Sequence, residues 1–308
     1  MVDFLAELPK VFRERYLDTH ERYLKSIADV ITHLYWRKPR GWKEPCRKMI
    51  HKLIPAGNLP RRKDVGDETL HFRNLRNCWY HECALHYPLR NIDRRLRFAA
   101  WKIIQFYYAV FSSIASLVRL ENTQLKGHDK ILNFYLTNFV CNKHLRGFFL
   151  PPVNFCLNQQ GVFSDKFSKM VNWKYADSYH IPNIKECLQY TKKEMKKEQG
   201  GRVGNLRIGI PHYLKILRDW TNYQDAYLFF RLYGQTVKQN LDFCLKRITF
   251  IHCVQTEFFL LKTFGWNAME LQFETFLTEL ETNLGIGSPP LEDRFNVYWE
   301  NSNLFQDS

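Results

Sequence analysis

The stretch FRNLRNCWYHECALHY, residues 72–87, sets two Arg-Asn pairs, two histidines and two cysteines side by side. Within it, Arg76 and His81 have the side-chain types that metal-free RNA cleavage needs. That reaction requires a base for the 2′-hydroxyl proton, a donor for the leaving oxygen and a cation for the charge that builds on the phosphate. Arginine suits the phosphate because its fork is planar and permanently charged; histidine titrates near working pH and serves as base or acid. On a helix, Asn77 and His81 are four apart and share a face, so Asn77 is expected to orient the imidazole. Arg76 and His81 are five apart and diverge by roughly 140°. To reach one phosphate together, Arg76 must sit at a helix end or face the same motif in a second copy across a dimer axis.

The spacing R-x-x-x-x-H occurs four times, at Arg15/His20, Arg76/His81, Arg207/His212 and Arg247/His252. Pro211 interrupts the third pair, and the fourth lies deep in an apolar helix, where a hydrogen-bonded core histidine is the plain explanation. Arg15 lacks a polar residue after it. Only Arg76 is followed by asparagine, and a solvated basic patch explains that run as well as a site does.

The remaining composition bounds the class. The 308 residues carry 45 Lys and Arg against 31 Asp and Glu, a net charge of +14, which favours a polyanionic partner such as RNA. Aromatic residues make up 16% of the chain, enough with the aliphatic ones for a sizeable core. Eight cysteines show no C-x-x-C and no zinc-ligand spacing, so they read as reduced thiols, and no metal or other cofactor is expected. The acidic residues at the start and the lack of an apolar leader imply a cytoplasmic setting. Phe98 to Val118 approaches the length of a membrane span, but Lys102, Gln105 and three serines inside it point to a buried central helix, and membrane insertion is not expected.

The elements that must position these residues are helices. Val11 to Trp36 has helical apolar spacing, the 72–87 stretch is helical up to Pro88, and the next helix runs from about Asn91 to Leu120. HDKILNFYLTNFV, residues 128–140, follows Gly127, and residues 153–181 show no clear period. IKECLQYTKKEMKKE is a charged surface helix, HYLKILRDW a short one, and a long apolar helix ends at Gly265, with one more around Ala268 to Asn283. No P-loop, G-x-G-x-x-G, H-E-x-x-H, internal repeat or β alternation appears, which makes the chain all-α.

FYYAVFSSIASLVRL followed by GHDKILNFYLTNFV resembles the small stand-alone HEPN proteins, in which a Y-Y-A-x-F helix precedes a helix opening with His and ending in F-V. LRDWTNYQDAY is similar to the R-x-x-A-D-Y element of that family. The matching positions are Tyr107, Tyr108, Ala109, Phe111, His128, Phe139, Val140, Arg218, Asn222 and Tyr223, spread discontinuously over residues 91–263. The resemblance implies a HEPN-like helical bundle over residues 71–265 with an irregular insertion at 150–210. Residues 1–70 form an N-terminal helical extension, and 266–308 form a C-terminal helix and tail. It also implies frequent homodimers and metal-independent endoribonucleases acting as toxins or antiphage effectors, with an antitoxin or sensor as partner.

Active relatives place Arg, a polar residue and, a few positions on, His at the start of the last core helix. Here that place holds Arg218, Asp219 and Tyr223, and a tyrosine is a poor base at neutral pH although its hydroxyl can donate to a phosphate. The better copy of the signature, at Arg76, Asn77 and His81, lies before the Y-Y-A-x-F helix. Either that helix packs so that Arg76 and His81 join Arg218 in one cleft, or the bundle is catalytically silent and the run is a surface element. In the first case His81 is the base, Arg76 and Arg218 clamp phosphate, and Asn77 and Tyr223 position the substrate. In the second the chain is a non-catalytic RNA-binding or partner-binding module, with Trp79, Tyr80 and Tyr87 stacking on bases.

Overall fold

A computed structural model describes residues 10–36, 41–57, 59, 69–86, 98–158, 180–198, 207–221, 235–285 and 287–306. Tyr87, Asn222 and Tyr223, together with 159–179 of the aperiodic stretch, lie outside the described residues. Ten α-helices form among those described: α1 (Lys10–Tyr35), α2 (Lys43–Leu53), α3 (Leu70–His86), α4 (Phe98–Glu121), α5 (His128–Tyr135), α6 (His180–Glu198), α7 (Ile210–Asp219), α8 (Gln235–Phe264), α9 (Trp266–Leu284) and α10 (Pro289–Glu300). The fold is all-α. Among the described residues the only strands are a two-residue antiparallel pair, β1 (Cys156–Leu157) and β2 (Ile208–Gly209), with Cys156 opposite Gly209 and Leu157 opposite Ile208.

The helices follow from their apolar spacing. On α1, Tyr23, Leu24, Ile27, Val30, Ile31 and Tyr35 form one buried stripe that packs along α8 and α6. Every residue from Arg247 to Leu261 of α8 is buried, so this helix is covered on all sides, by α1, α2, α3, α4 and α9. Gly265, at φ +85°, ends it and opens α9; a side chain there would be strained, because only glycine adopts such a φ freely. The apolar segment Trp101–Glu121 of α4 is long enough to cross a membrane, and 72% of its apolar window is buried against the rest of the protein. α1, α2, α9 and α10 share the core of the central helices.

The centre of that core is ionic. Arg294 of α10 is fully buried and donates from both terminal nitrogens to the Glu82 carboxylate of α3, at 2.8 and 2.6 Å. It also donates from Nε and Nη2 to Glu257 of α8, at 2.8 and 3.0 Å. Glu257 completes its shell with Trp79 Nε1–H at 2.7 Å and the Tyr298 hydroxyl at 2.9 Å. Burial pushes the Glu257 carboxyl upward and the facing guanidinium pulls it back. With four donors around it, the carboxylate is satisfied as an acceptor, which is what lets an ion persist there.

Three core histidines are held neutral by the same exclusion of water. Burial lowers His20 to about 3, His212 to about 4 and His252 to about 3, from an ordinary value of 6.5. The Nε2 atoms of His212 and His252 are buried with no hydrogen-bond partner, so the expected hydrogen bond of a core histidine is absent at that nitrogen of His252.

Two predictions follow from these buried groups. Arg294→Met leaves two carboxylates facing each other without their cation and should cost about 3–5 kcal/mol, read as a lower urea midpoint. Arg294→Lys, a point charge that cannot fork to both, should fall between; an unchanged midpoint in Arg294→Met would show that the triad does not hold these helices. For the histidines the folded values lie below the unfolded one, so their contribution is complete above pH 6.5 and is lost as pH falls towards 4. Urea titrations between pH 7 and 5 should show stability falling by up to about 4 kcal/mol per pH unit, the slope for three protons taken up on unfolding.

Candidate functional site

The rotation of α3 decides which residues meet. Trp79 and Glu82 turn inward to α8 and α10, so His81 is directed at α4 and Arg76 and Tyr80 at α9. His81 Nδ1 lies 2.7 Å from Gln105 Oε1. A carbonyl oxygen accepts, so Nδ1 carries the proton and Nε2 keeps the lone pair. The ring stacks on Tyr108 at 5.5 Å between centroids and 27° between planes. Gln105 therefore holds the imidazole from α4, where the helical spacing pointed to Asn77, which is exposed.

Arg76 Nη1 donates to Gln272 of α9 at 2.7 Å, and Tyr80, one turn on, donates to Glu279 of the same helix at 2.8 Å. Both Arg76 and His81 sit inside α3, not at its end, and the five-residue spacing turns them to different neighbours. Within one chain the structure does not bring Arg76 to His81.

The other side of Tyr108 is built by α5 and α7. Gly127, at φ +89°, turns the chain so that α5 opens on His128, whose ring stacks on Phe111 at 4.1 Å and 9°. His128 Nδ1 receives two donors, the Tyr107 hydroxyl at 2.5 Å and Arg218 Nη2 at 3.2 Å. Its proton consequently sits on Nε2, the reverse of the tautomer at His81. Burial, then the Arg218 charge, lowers the His128 pKa and keeps the ring neutral near pH 7. Burial raises the Tyr107 hydroxyl, which therefore stays protonated and donates.

Arg218, almost wholly buried at the end of α7, lies over both tyrosines, its Cζ 4.8 Å from the Tyr107 centroid and 5.5 Å from that of Tyr108. Tyr108 is thus flanked at 5.5 Å by His81 and at 5.5 Å by Arg218, which bounds the separation of these two groups at twice that distance. Tyr108, Phe111, His81 and His128 are each partly exposed, so the cluster opens to solvent on the Tyr108 side. Its charges are already partly matched. Arg218 Nη1 donates to the neighbouring Asp219, while Lys215 Nζ lies 3.2 Å from Asp129, 3.4 Å from Asp219 and 3.6 Å from Glu198.

Of the expected site residues, His81 and Arg218 come together around Tyr108, Arg76 faces α9, Asn77 is exposed, and Tyr223 lies outside the described residues. Gln105 and the roles of Tyr107 and His128 were not anticipated. The available signal was a glutamine on an otherwise apolar run, IIQFYY, and a His directly after Gly127. Among the described residues, no three His, Cys, Asp or Glu side chains gather where they could hold a metal ion. No protein-family model, curated protein or solved structure matches the chain.

Removing the Arg218 charge and its N–H should let His128 titrate higher. In Arg218→Gln, an NMR titration of the His128 ring should give a midpoint moved up towards 6.5, and Tyr107→Phe, which removes the other donor to Nδ1, should move it the same way. A midpoint that stays put or drops in Arg218→Gln would break the assigned contact.

Proposed function

We propose that this chain is a metal-independent endoribonuclease that cuts RNA at the crevice around Tyr108, as a HEPN-like homodimer in the manner of toxin or antiphage effectors. The observation that carries the reading is that His81 and Arg218, from helices far apart in the sequence, both lie 5.5 Å from the centre of one tyrosine ring. Five of the positions that carry the family resemblance, Tyr107, Tyr108, Phe111, His128 and Arg218, touch one another here.

In the proposed reaction His81 Nε2 takes the 2′-hydroxyl proton, and the 2′-oxygen attacks the adjacent phosphorus. The P–O5′ bond breaks, the 5′-oxygen takes the proton back from the His81 imidazolium formed in the first step, and the products are a 2′,3′-cyclic phosphate and a 5′-hydroxyl. Arg218 supplies the cation for the phosphate, and the Tyr108 ring holds both His81 and Arg218 against it. Arg76 and Asn77 lie on other faces of α3 and contribute only if a second copy presents them.

One observation favours a binding-only module instead. Arg218 is buried and already paired with Asp219, and Lys215 faces three carboxylates. A guanidinium committed in this way has less to give to a phosphate.

The two readings separate in a single experiment. The full chain is incubated with a mixed panel of single-stranded RNAs in excess chelator, with binding measured in parallel across a salt series. Cleavage leaving 2′,3′-cyclic phosphate ends, reduced at least about 100-fold in a His81→Ala variant of unchanged circular dichroism, is expected. Undiminished cleavage in His81→Ala removes the proposed base; tight, steeply salt-dependent binding without product supports the module.

A further inference from the structure

Cys141 and Cys156 stand at the junction between α5 and β1, with their sulfurs 3.5 Å apart. Cys141 is partly exposed, whereas the other seven thiols are buried. Arg207, beside β2, lies near enough to the Cys141 sulfur for its positive charge to favour the thiolate. We propose that Cys141 and Cys156 form a peroxide-oxidisable dithiol, with Cys141 as the reacting thiolate and Cys156 as the thiol that resolves it.

The two sulfurs are unequal in the way such chemistry requires. With the buried Cys156 thiol as donor, this contact together with Arg207 lowers the Cys141 pKa despite partial burial. The same contact and burial raise Cys156. A thiolate is the nucleophile and a neighbouring cation favours it. The step with hydrogen peroxide balances as follows. The Cys141 thiolate attacks one peroxide oxygen, the O–O bond breaks, and the departing hydroxide takes a proton to become water, leaving a sulfenic acid. The Cys156 thiol then gives up its proton and its sulfur attacks the sulfenic sulfur. Hydroxide leaves with that proton as a second water, and a disulfide forms. Two thiols lose two electrons in all, and peroxide gains them. To bond, the sulfurs must close from 3.5 Å to about 2.05 Å, within reach of side-chain rotation.

The fold contains its own control. Cys78 and Cys253 also lie 3.5 Å apart, yet both are fully buried in the core between α3 and α8. Burial raises the Cys253 thiol well above its ordinary value. Sulfur proximity is equal in the two pairs, so exposure and the arginine are what set Cys141 and Cys156 apart.

The test uses the full chain, reduced, freed of reductant and exposed to a small molar excess of hydrogen peroxide, followed by alkylation and peptide mapping. The expected product is one disulfide joining the Cys141 and Cys156 peptides, with Cys78 and Cys253 still alkylated as free thiols after unfolding. In Cys156→Ser, a sulfenic acid should accumulate on Cys141 and be trapped by dimedone. Arg207→Gln should slow Cys141 oxidation about tenfold without altering the fold. The proposal is overturned if Cys141 reacts no faster than Cys78, if Cys141 in the native sequence is oxidised without linking to Cys156, or if Arg207→Gln leaves the rate unchanged.

Discussion

A single guanidinium organises this molecule. Arg294 forks to Glu82 on one side and Glu257 on the other, with no solvent exposure on any of the three, and so ties α3, α8 and α10 at one point. Such a cluster is poor in net stabilisation, because two carboxylates and one cation must leave water to form it. Its strength is orientational: the planar fork accepts only one arrangement of both partners. Once Glu82 faces Arg294, the turn of α3 is fixed, and a residue one position away points about 100° elsewhere. His81 looks to Gln105 and Tyr108 because Glu82 looks to Arg294.

The helical frame was legible in the sequence and the ionic centre was not. Tyr23, Leu24, Ile27, Val30 and Ile31 announce a buried stripe by spacing alone, and Gly265 announces a stop. That most of the apolar window within Trp101–Glu121 is buried also accords with its polar residues. One of these, Gln105, turns out to be the partner of His81. Glu82 and Arg294, by contrast, lie 212 positions apart and Glu257 another 37 from Arg294. Each reads locally as an ordinary surface charge, since nothing in a short window distinguishes a charge that has a distant partner from one that has water.

The candidate site divides along the same line. The types and spacing of Arg76, Asn77 and His81 suggest chemistry, but spacing along a helix also dictates divergence, and Arg76 and His81 go to different neighbours. That His81 and Arg218 both lie against Tyr108 depends on α3 and α7 each packing on α4, a tertiary fact. What is common to the two histidines around Tyr108 is that the group opposite fixes the tautomer. An acceptor faces His81, two donors face His128, and the pair offers one basic nitrogen and one N–H.

The small sheet explains how His128 and Arg218 keep their relation. α5 begins at His128 and runs through the turn Leu136–Val140 to Cys141; α7 is entered from β2 and ends beside Arg218. Pairing of Cys156 with Gly209 brings the far ends of these two helices together. Gly209 is needed for that approach, since a Cβ there would lie 2.9 Å from Leu136 Cδ2. Two helices joined at one end by this pairing, and at the other by the contacts of Arg218 and Tyr107 with His128, have little freedom to shift lengthwise. A covalent bond between Cys141 and Cys156 would reinforce the first of these ends.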